Sequence, residues 1–235
     1  MESRITATPA GAIRFDASLA ETPDADWFNP EAWRRRDAEV AVLGGGRGGA
    51  WSIDAGLARY ALRHYRRGGA IRHLLQDRYL FRNADATRGF REFDLLAQLH
   101  DEGFPVPKPV AVRYQQDGSW YRADLLMQLI DNGRSLHQRL RAGDPVDWTA
   151  MGRAIAGLHR RGVWHADLNA HNALVDDARR VWIIDFDRAQ IRRPAASWQR
   201  ANIERLARSL RKLGHGALLP IAWPQLQRGY AESSS

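Results

Sequence analysis

His165-Ala166-Asp167-Leu168-Asn169-Ala170-His171-Asn172 is the stretch on which the reading of this chain turns. It fits H-x-D-L-x-x-x-N, and the strand-like run Val181-Trp182-Ile183-Ile184 then delivers Asp185-Phe186-Asp187. Phosphoryl transfer needs a carboxylate to orient and deprotonate the acceptor hydroxyl. It also needs an amide oxygen and a second carboxylate for Mg2+, all converging beneath the transferred phosphate. Asp167 is the candidate base, and Asn172 and Asp185 are the candidate metal ligands. Either motif alone is also what a capped turn or a strand end looks like. An apolar helix, a loop, a strand and a second motif in this order support one another. His165 reads as a brace that bonds backbone near Asp185 rather than as an acid or base.

Working outward, Trp148 to Arg161 places Met151, Ile155 and Leu158 on one helical face, and Gly162 stops the element. On the amino-terminal side the pattern is strand-like: Val40 to Leu43, Ala50 to Ile53 and Arg59 to Arg63, forming an antiparallel meander. Thr87 to His100 has helical spacing, ended by Gly103 and Pro105. Two further strands, Val110 to Tyr114 and Tyr121 to Ile130, flank the turn Gln116-Asp117-Gly118-Ser119. Composition turns helical after Asp131-Asn132-Gly133. The segment before Arg36, with Pro9, Pro23 and Pro30, reads as an irregular lead-in packed on the first lobe.

The class implied is α+β, and the loop motif is specific to the protein-kinase-like superfamily. That resemblance implies one bilobal catalytic domain: a lead-in over 1–36, an N-lobe over 37–130 with a five-stranded antiparallel sheet plus a helix, and a short, mainly helical C-lobe over 131–235. Gly44, Gly46 and Gly49 form G-x-G-x-x-G between two strands, where such a fold covers the nucleotide phosphates; a flexible hairpin tip meets the same pattern. Arg63 occupies the position where kinases carry the phosphate-contacting lysine. Glu92, on the following helix, is its expected partner, the alternative being a solvated helix charge.

Thirty-five Lys+Arg against 27 Asp+Glu give a formal charge of +8, and lysine occurs only at Lys108 and Lys212. Such a balance favours polyanionic partners, and an arginine-rich genome gives the same composition. There is no cysteine, which excludes disulfides and thiolate metal sites. No long apolar run is present, so neither an export signal nor a membrane span is expected. The stripe Ile203, Leu206, Leu210 and Leu213 among arginines, and Trp27 and Trp33 beside Arg34-Arg35-Arg36, suit either internal packing or an anionic membrane surface.

Leu62-Arg63-His64-Tyr65-Arg66-Arg67-Gly68-Gly69, Arg91-Glu92-Phe93 leading to Gly103-Phe104-Pro105-Val106-Pro107-Lys108-Pro109, and the loop at His165 together resemble the bacterial lipopolysaccharide kinases over most of the chain. The resemblance implies use of ATP and Mg2+. It implies phosphorylation of the 4-hydroxyl of 3-deoxy-D-manno-octulosonic acid (Kdo) on a Kdo-lipid IV(A) type precursor. It further implies a peripheral location at the cytoplasmic face of the bacterial inner membrane. By position Asp167 is then the base, Asn172 and Asp185 the magnesium ligands, and Arg63 the phosphate contact with Glu92 as its partner.

Two alternatives stay open. A small-molecule phosphotransferase of the aminoglycoside or choline kinase kind shares the two motifs but usually carries a larger helical acceptor lobe than the 48 residues after Asp187 provide. A pseudokinase-like binding module is suggested by Arg63 in the lysine position and opposed by the intact Asp167, Asn172 and Asp185. No nucleic-acid motif accompanies the basic charge, so no nucleic-acid partner is expected.

Overall fold

The computed structural model describes residues 1–43, 49–66 and 77–232. The chain divides into two compact units, one made of Met1–Asp101 with Lys108–Leu129, the other of Glu102–Pro107 with Ile130–Ser235. The class is α+β.

The first unit is built on an antiparallel sheet. Its strands are β1 (Ser3–Thr8), β2 (Gly11–Asp16), β3 (Glu39–Val42), β4 (Ala50–Asp54), β5 (Arg59–His64), β6 (Tyr79–Leu80), β7 (Pro109–Asp117) and β8 (Trp120–Gln128). The spatial order is β1-β2-β7-β8-β5-β4-β3, with β6 paired to the far end of β8. The five strands expected from the sequence are all present, and among the described residues the sheet has eight. The difference lies mainly at the amino terminus. Residues 3–16 form a hairpin that docks β2 along β7, from Gly11↔Gln115 to Phe15↔Ala111, so the lead-in packs on the first unit as expected but is not irregular. Ile13 and Phe15 drive this by entering the core at 1% and 5% exposure.

Trp27, Phe28 and Trp33 complete that core with Ile53, Leu62, Val110 and Leu126. Helix α1 (Pro30–Arg35) carries Trp33, whose indole N–H donates to the Trp27 carbonyl at 2.8 Å. A membrane role for this tryptophan pair is thereby overturned, because both rings are spent inside the unit. On helix α2 (Arg88–Asp101), Phe90, Phe93, Leu96 and Leu99 are fully buried, each contributing about 1.5–3 kcal/mol. That anchors the helix and, with it, Glu92.

The second unit is mainly helical. A capping box between Ser135 and Gln138 starts α3 (Leu136–Arg141), and Asp147 caps α4 (Trp148–Arg160) by accepting from the Ala150 N–H at 2.8 Å. Helices α5 (Ala196–Lys212) and α6 (Leu219–Glu232) follow. The short strands are β9 (Arg134–Ser135), β10 (Val163–Trp164), β11 (Ala173–Val175), β12 (Val181–Ile183) and β13 (Gln190–Ile191). Residues 102–107 belong here because the Pro105 carbonyl accepts from Ile183 N–H at 2.9 Å and Glu102 takes Arg161 in a two-point pair at 2.6 and 3.0 Å. Helices α4 and α6 cross at glycines. A Cβ on Gly152 would lie 2.1 Å from the Leu226 carbonyl oxygen, and one on Gly229 would lie 2.0 Å from that of Thr149.

Candidate active site

Two antiparallel ladders place the loop. Strand β11 pairs with β12, Ala173 opposite Ile183, and β10 pairs with β13, Trp164 opposite Gln190. The chain between β10 and β11, residues 165–172, is therefore forced to run beside the chain between β12 and β13, which carries Asp185. Two hydrogen bonds stitch the two together and a third closes the loop on itself. Ile184 N–H donates to the Asn172 carbonyl at 2.9 Å, His165 Nε2 meets the Ile184 carbonyl at 3.0 Å, and Asn172 Nδ2 donates to the Asp167 carbonyl at 2.9 Å. Asp167, Asn172 and Asp185 thus share one rigid element of the second unit.

The state of His165 follows from its partners. Asp167 N–H donates to Nδ1 at 3.2 Å, so Nδ1 is the acceptor and Nε2–H is the donor to Ile184. Burial pushes the imidazole below its ordinary pKa, which keeps it neutral. Its ring also meets Phe186 edge-on, centroids 5.0 Å apart. A neutral, fully engaged histidine is a brace. Asp185 adopts a left-handed backbone with φ of 68°, a conformation that costs a residue with a side chain about 1 kcal/mol and is tolerated best by Asn and Asp.

Asn172 spends its amide nitrogen on Asp167, which leaves its oxygen as the end that could take a cation. Among the described residues, no three His, Asp or Glu side chains cluster as a self-contained metal cage. The donors at hand, an amide oxygen and a carboxylate, are of the type magnesium takes alongside waters and substrate phosphates. The residues fit such a site.

In the first unit Arg63 forms an ion pair with Glu92, whose side chain is fully buried. Tyr65 completes it: its hydroxyl donates to the same Glu92 oxygen at 2.6 Å, and the Arg63 guanidinium lies 4.6 Å from the centre of its ring. Of the three glycines, Gly44 and Gly46 lie outside the described residues, as do Arg67, Gly68 and Gly69 of the stretch that begins at Leu62. Gly49 precedes β4, and its carbonyl accepts from the His64 N–H at 2.6 Å.

Sequence reasoning missed the support beneath the loop. Asn202 on α5, 2% exposed, donates to the His165 carbonyl at 2.6 Å, and its oxygen takes His159 Nε2 at 3.1 Å. The other nitrogen of His159 accepts from the Tyr230 hydroxyl of α6 at 2.8 Å. Burial lowers the His159 pKa to about 4, so this polar chain is neutral throughout. The Ser209 hydroxyl accepts the Ala170 N–H at 3.2 Å. Half of the apolar stripe of α5 is likewise consumed internally: Leu206 and Leu210 are buried, while Ile203 and Leu213 are half-buried. The only signal available was the placing of polar Asn202, Arg205 and Ser209 beside that stripe at spacings of three and four.

Comparison with known proteins bears on the chemistry. A model of the lipopolysaccharide kinase (Kdo/WaaP) family matches residues 31–230. A 3-deoxy-D-manno-octulosonic acid kinase of Stenotrophomonas maltophilia (strain R551-3) is 48% identical over 204 residues, spanning 86% of this chain and 81% of that protein. One from Xanthomonas axonopodis pv. citri (strain 306) is 46% identical over the same shares. Among solved structures, the bifunctional kinase-methyltransferase WbdD is 16% identical with a TM-score of 0.49, covering 83% of this chain and 46% of that one. The chain therefore spans less than half of the WbdD chain it matches.

Proposed function

The chain belongs to the lipopolysaccharide kinase (Kdo/WaaP) family and is an ATP-dependent kinase, and on that premise we propose that it phosphorylates the 4-hydroxyl of Kdo in a Kdo-lipid IV(A) type precursor. The observation that carries the proposal is the stitched loop: a carboxylate, an amide oxygen and a second carboxylate held on one element by the backbone of Ile184 and the Asn172 amide. Relatives at 46–48% identity carry the name of a Kdo kinase, which supports Kdo over an aminoglycoside or choline as acceptor.

In this reading Asp167 orients the acceptor hydroxyl and takes its proton as the oxygen bonds the γ-phosphorus and the bond to ADP breaks. Asn172 and Asp185 would hold magnesium, which would supply neutralisation of the charge developing on the phosphoryl oxygens. Arg63, aimed by Glu92 and Tyr65, contacts the nucleotide phosphates, and Gly44, Gly46 and Gly49 cover them. His165 holds the loop to Ile184 and moves no proton.

The same reading has the enzyme work peripherally at the cytoplasmic face of the bacterial inner membrane, where its lipid-linked acceptor lies. No helix among the described residues is long and apolar enough to cross a membrane. The exposed Leu218 and Ile221, at 41% and 71%, lie close in sequence to a groove edged by Arg208 and Arg211, the mixture an anionic interface attracts.

The test is ATP phosphotransfer to Kdo-lipid precursor, free Kdo, an aminoglycoside and choline in parallel. Transfer to a Kdo-bearing acceptor is expected, and transfer only to a non-Kdo acceptor overturns the reading. Asp167→Asn should lower kcat by about 10²–10⁴-fold with an unchanged melting temperature, the range a general base supplies.

A further inference from the structure

Helix α5 turns three polar side chains toward the catalytic loop. Asn202, Arg205 and Ser209 are spaced three and four residues apart and so share one face. Their partners climb the loop in parallel: Asn202 holds the His165 carbonyl at 2.6 Å, Arg205 Nη1 lies 3.8 Å from Asp167 Oδ1, and Ser209 holds the Ala170 N–H at 3.2 Å. The outer two contacts fix helix to loop, and the middle one sets a guanidinium beside the carboxylate assigned as base.

The middle contact differs in kind from the other two. The side chains of Arg205 and Asp167 are 45% and 46% exposed, whereas Asn202 is 2% exposed. An ion pair that long and that open adds at most about 1 kcal/mol to stability. Its placement is better explained by something that arrives from solvent. A guanidinium offers five N–H donors in a planar fork, so one edge can stay toward Asp167 while another receives an anion in two-point contact.

We propose that Arg205 is a specificity-determining residue that binds the carboxylate of a sugar-acid acceptor while Asp167 receives its hydroxyl; this rests on the reading of Kdo as acceptor. In Kdo the carboxylate is carried on C2 and the hydroxyl in question on C4, separated by a single ring carbon. Two side chains 3.8 Å apart match two groups so closely set. Anchoring the acid also decides which hydroxyl meets the base, because the ring cannot turn a different one toward Asp167 without lifting its carboxylate from Arg205.

The experiment compares kcat/KM for Kdo-lipid acceptor and for the same acceptor with its carboxylate converted to an amide, in wild type, Arg205→Gln and Arg205→Lys, with thermal melts confirming that each variant folds. Wild type should prefer the acid by about tenfold or more, the range of a hydrogen bond to a charged group. In R205Q that preference should fall toward one, mainly through a raised KM for the acid. R205K should recover part of it, having the charge without the fork. If R205Q lowers transfer to acid and amide by the same factor, or raises KM for ATP instead, Arg205 merely supports the loop and the proposal is overturned while Kdo phosphorylation stands. If wild type phosphorylates no Kdo-bearing acceptor, both readings fall together.

Discussion

The sheet unit and the support beneath the loop at His165 immobilise their polar side chains in opposite ways. In the sheet unit the fasteners are charges. Glu92 takes Arg63 and the Tyr65 hydroxyl, Arg14 is paired with Asp94 and Asp85, and Asp16 takes Lys108 at 2.6 Å. His64 is clamped by Asp124 at 2.6 Å and Asp77 at 3.2 Å, carboxylates that also bind Arg113 and Arg122. Beneath the catalytic loop the fasteners are neutral: Tyr230, His159, Asn202 and a carbonyl in series, with Ser209 alongside. Charged pairs hold Arg63 against the buried Glu92 at the expense of desolvation. Neutral bonds hold the loop that carries Asp167 and Asn172 from below without adding a charge of their own. The lesson is that a carboxylate-arginine pair and a series of neutral hydrogen bonds both fix a polar side chain, and only the second does so without adding charge.

The sharpest way to break this contrast is to remove one fastener from each unit. Glu92→Ala leaves the Arg63 guanidinium without its buried counter-ion, a change expected to cost about 3–5 kcal/mol in urea unfolding. Asn202→Ala strips one partner from the His165 carbonyl and one from His159, with an expected cost of about 1–3 kcal/mol. An Asn202 cost equal to that of Glu92 would erase the distinction between charged and neutral fastening.

The contrast is sharpened further by the pH dependence, where the two units should move in opposite directions. Hydrogen bonding to Asp124 raises the pKa of His64 above its ordinary value near 6.5. Its stabilisation is therefore fully present below pH 6.5 and is lost as pH climbs through the raised value. His159 is lowered to about 4, so its unfolded form binds a proton first, and stability falls as pH drops from about 6.5 to 4. Melting wild type, His64→Gln and His159→Gln across pH 4–9 should flatten the alkaline limb in the first variant and the acid limb in the second. Identical limbs in all three would show that these histidines titrate alike folded and unfolded.

What could be read from the sequence was what is contiguous. The loop at His165 and the Asp185 turn each fit within a few residues, and the five central strands announce themselves by alternation. The pairing of Arg63 with Glu92 was reachable because each occupies a recognisable place on its element. The amino-terminal hairpin escaped because Ser3–Thr8 is almost wholly exposed, and because Arg14, 8% exposed in the middle of β2, makes sense only once Asp94 of α2 is beside it. The face of α5 escaped for a related reason. Asn202, Arg205 and Ser209 look solvated on any helical wheel, and their partners lie more than thirty residues upstream.

The glycine crossing of α4 and α6 has a consequence for motion. With Gly152 lodged against the Leu226 carbonyl and Gly229 against that of Thr149, backbone meets backbone with no room for a methyl group. Neither helix can creep along or roll upon the other by a fraction of a turn, since each intermediate position would drive a bulkier side chain into a peptide oxygen. The hydrogen bond from Tyr230 of α6 to His159 of α4 therefore has no half-open state of its own. Amide hydrogens of the two helices should exchange with solvent in one step, and His159 should lose its Tyr230 partner only when that step occurs.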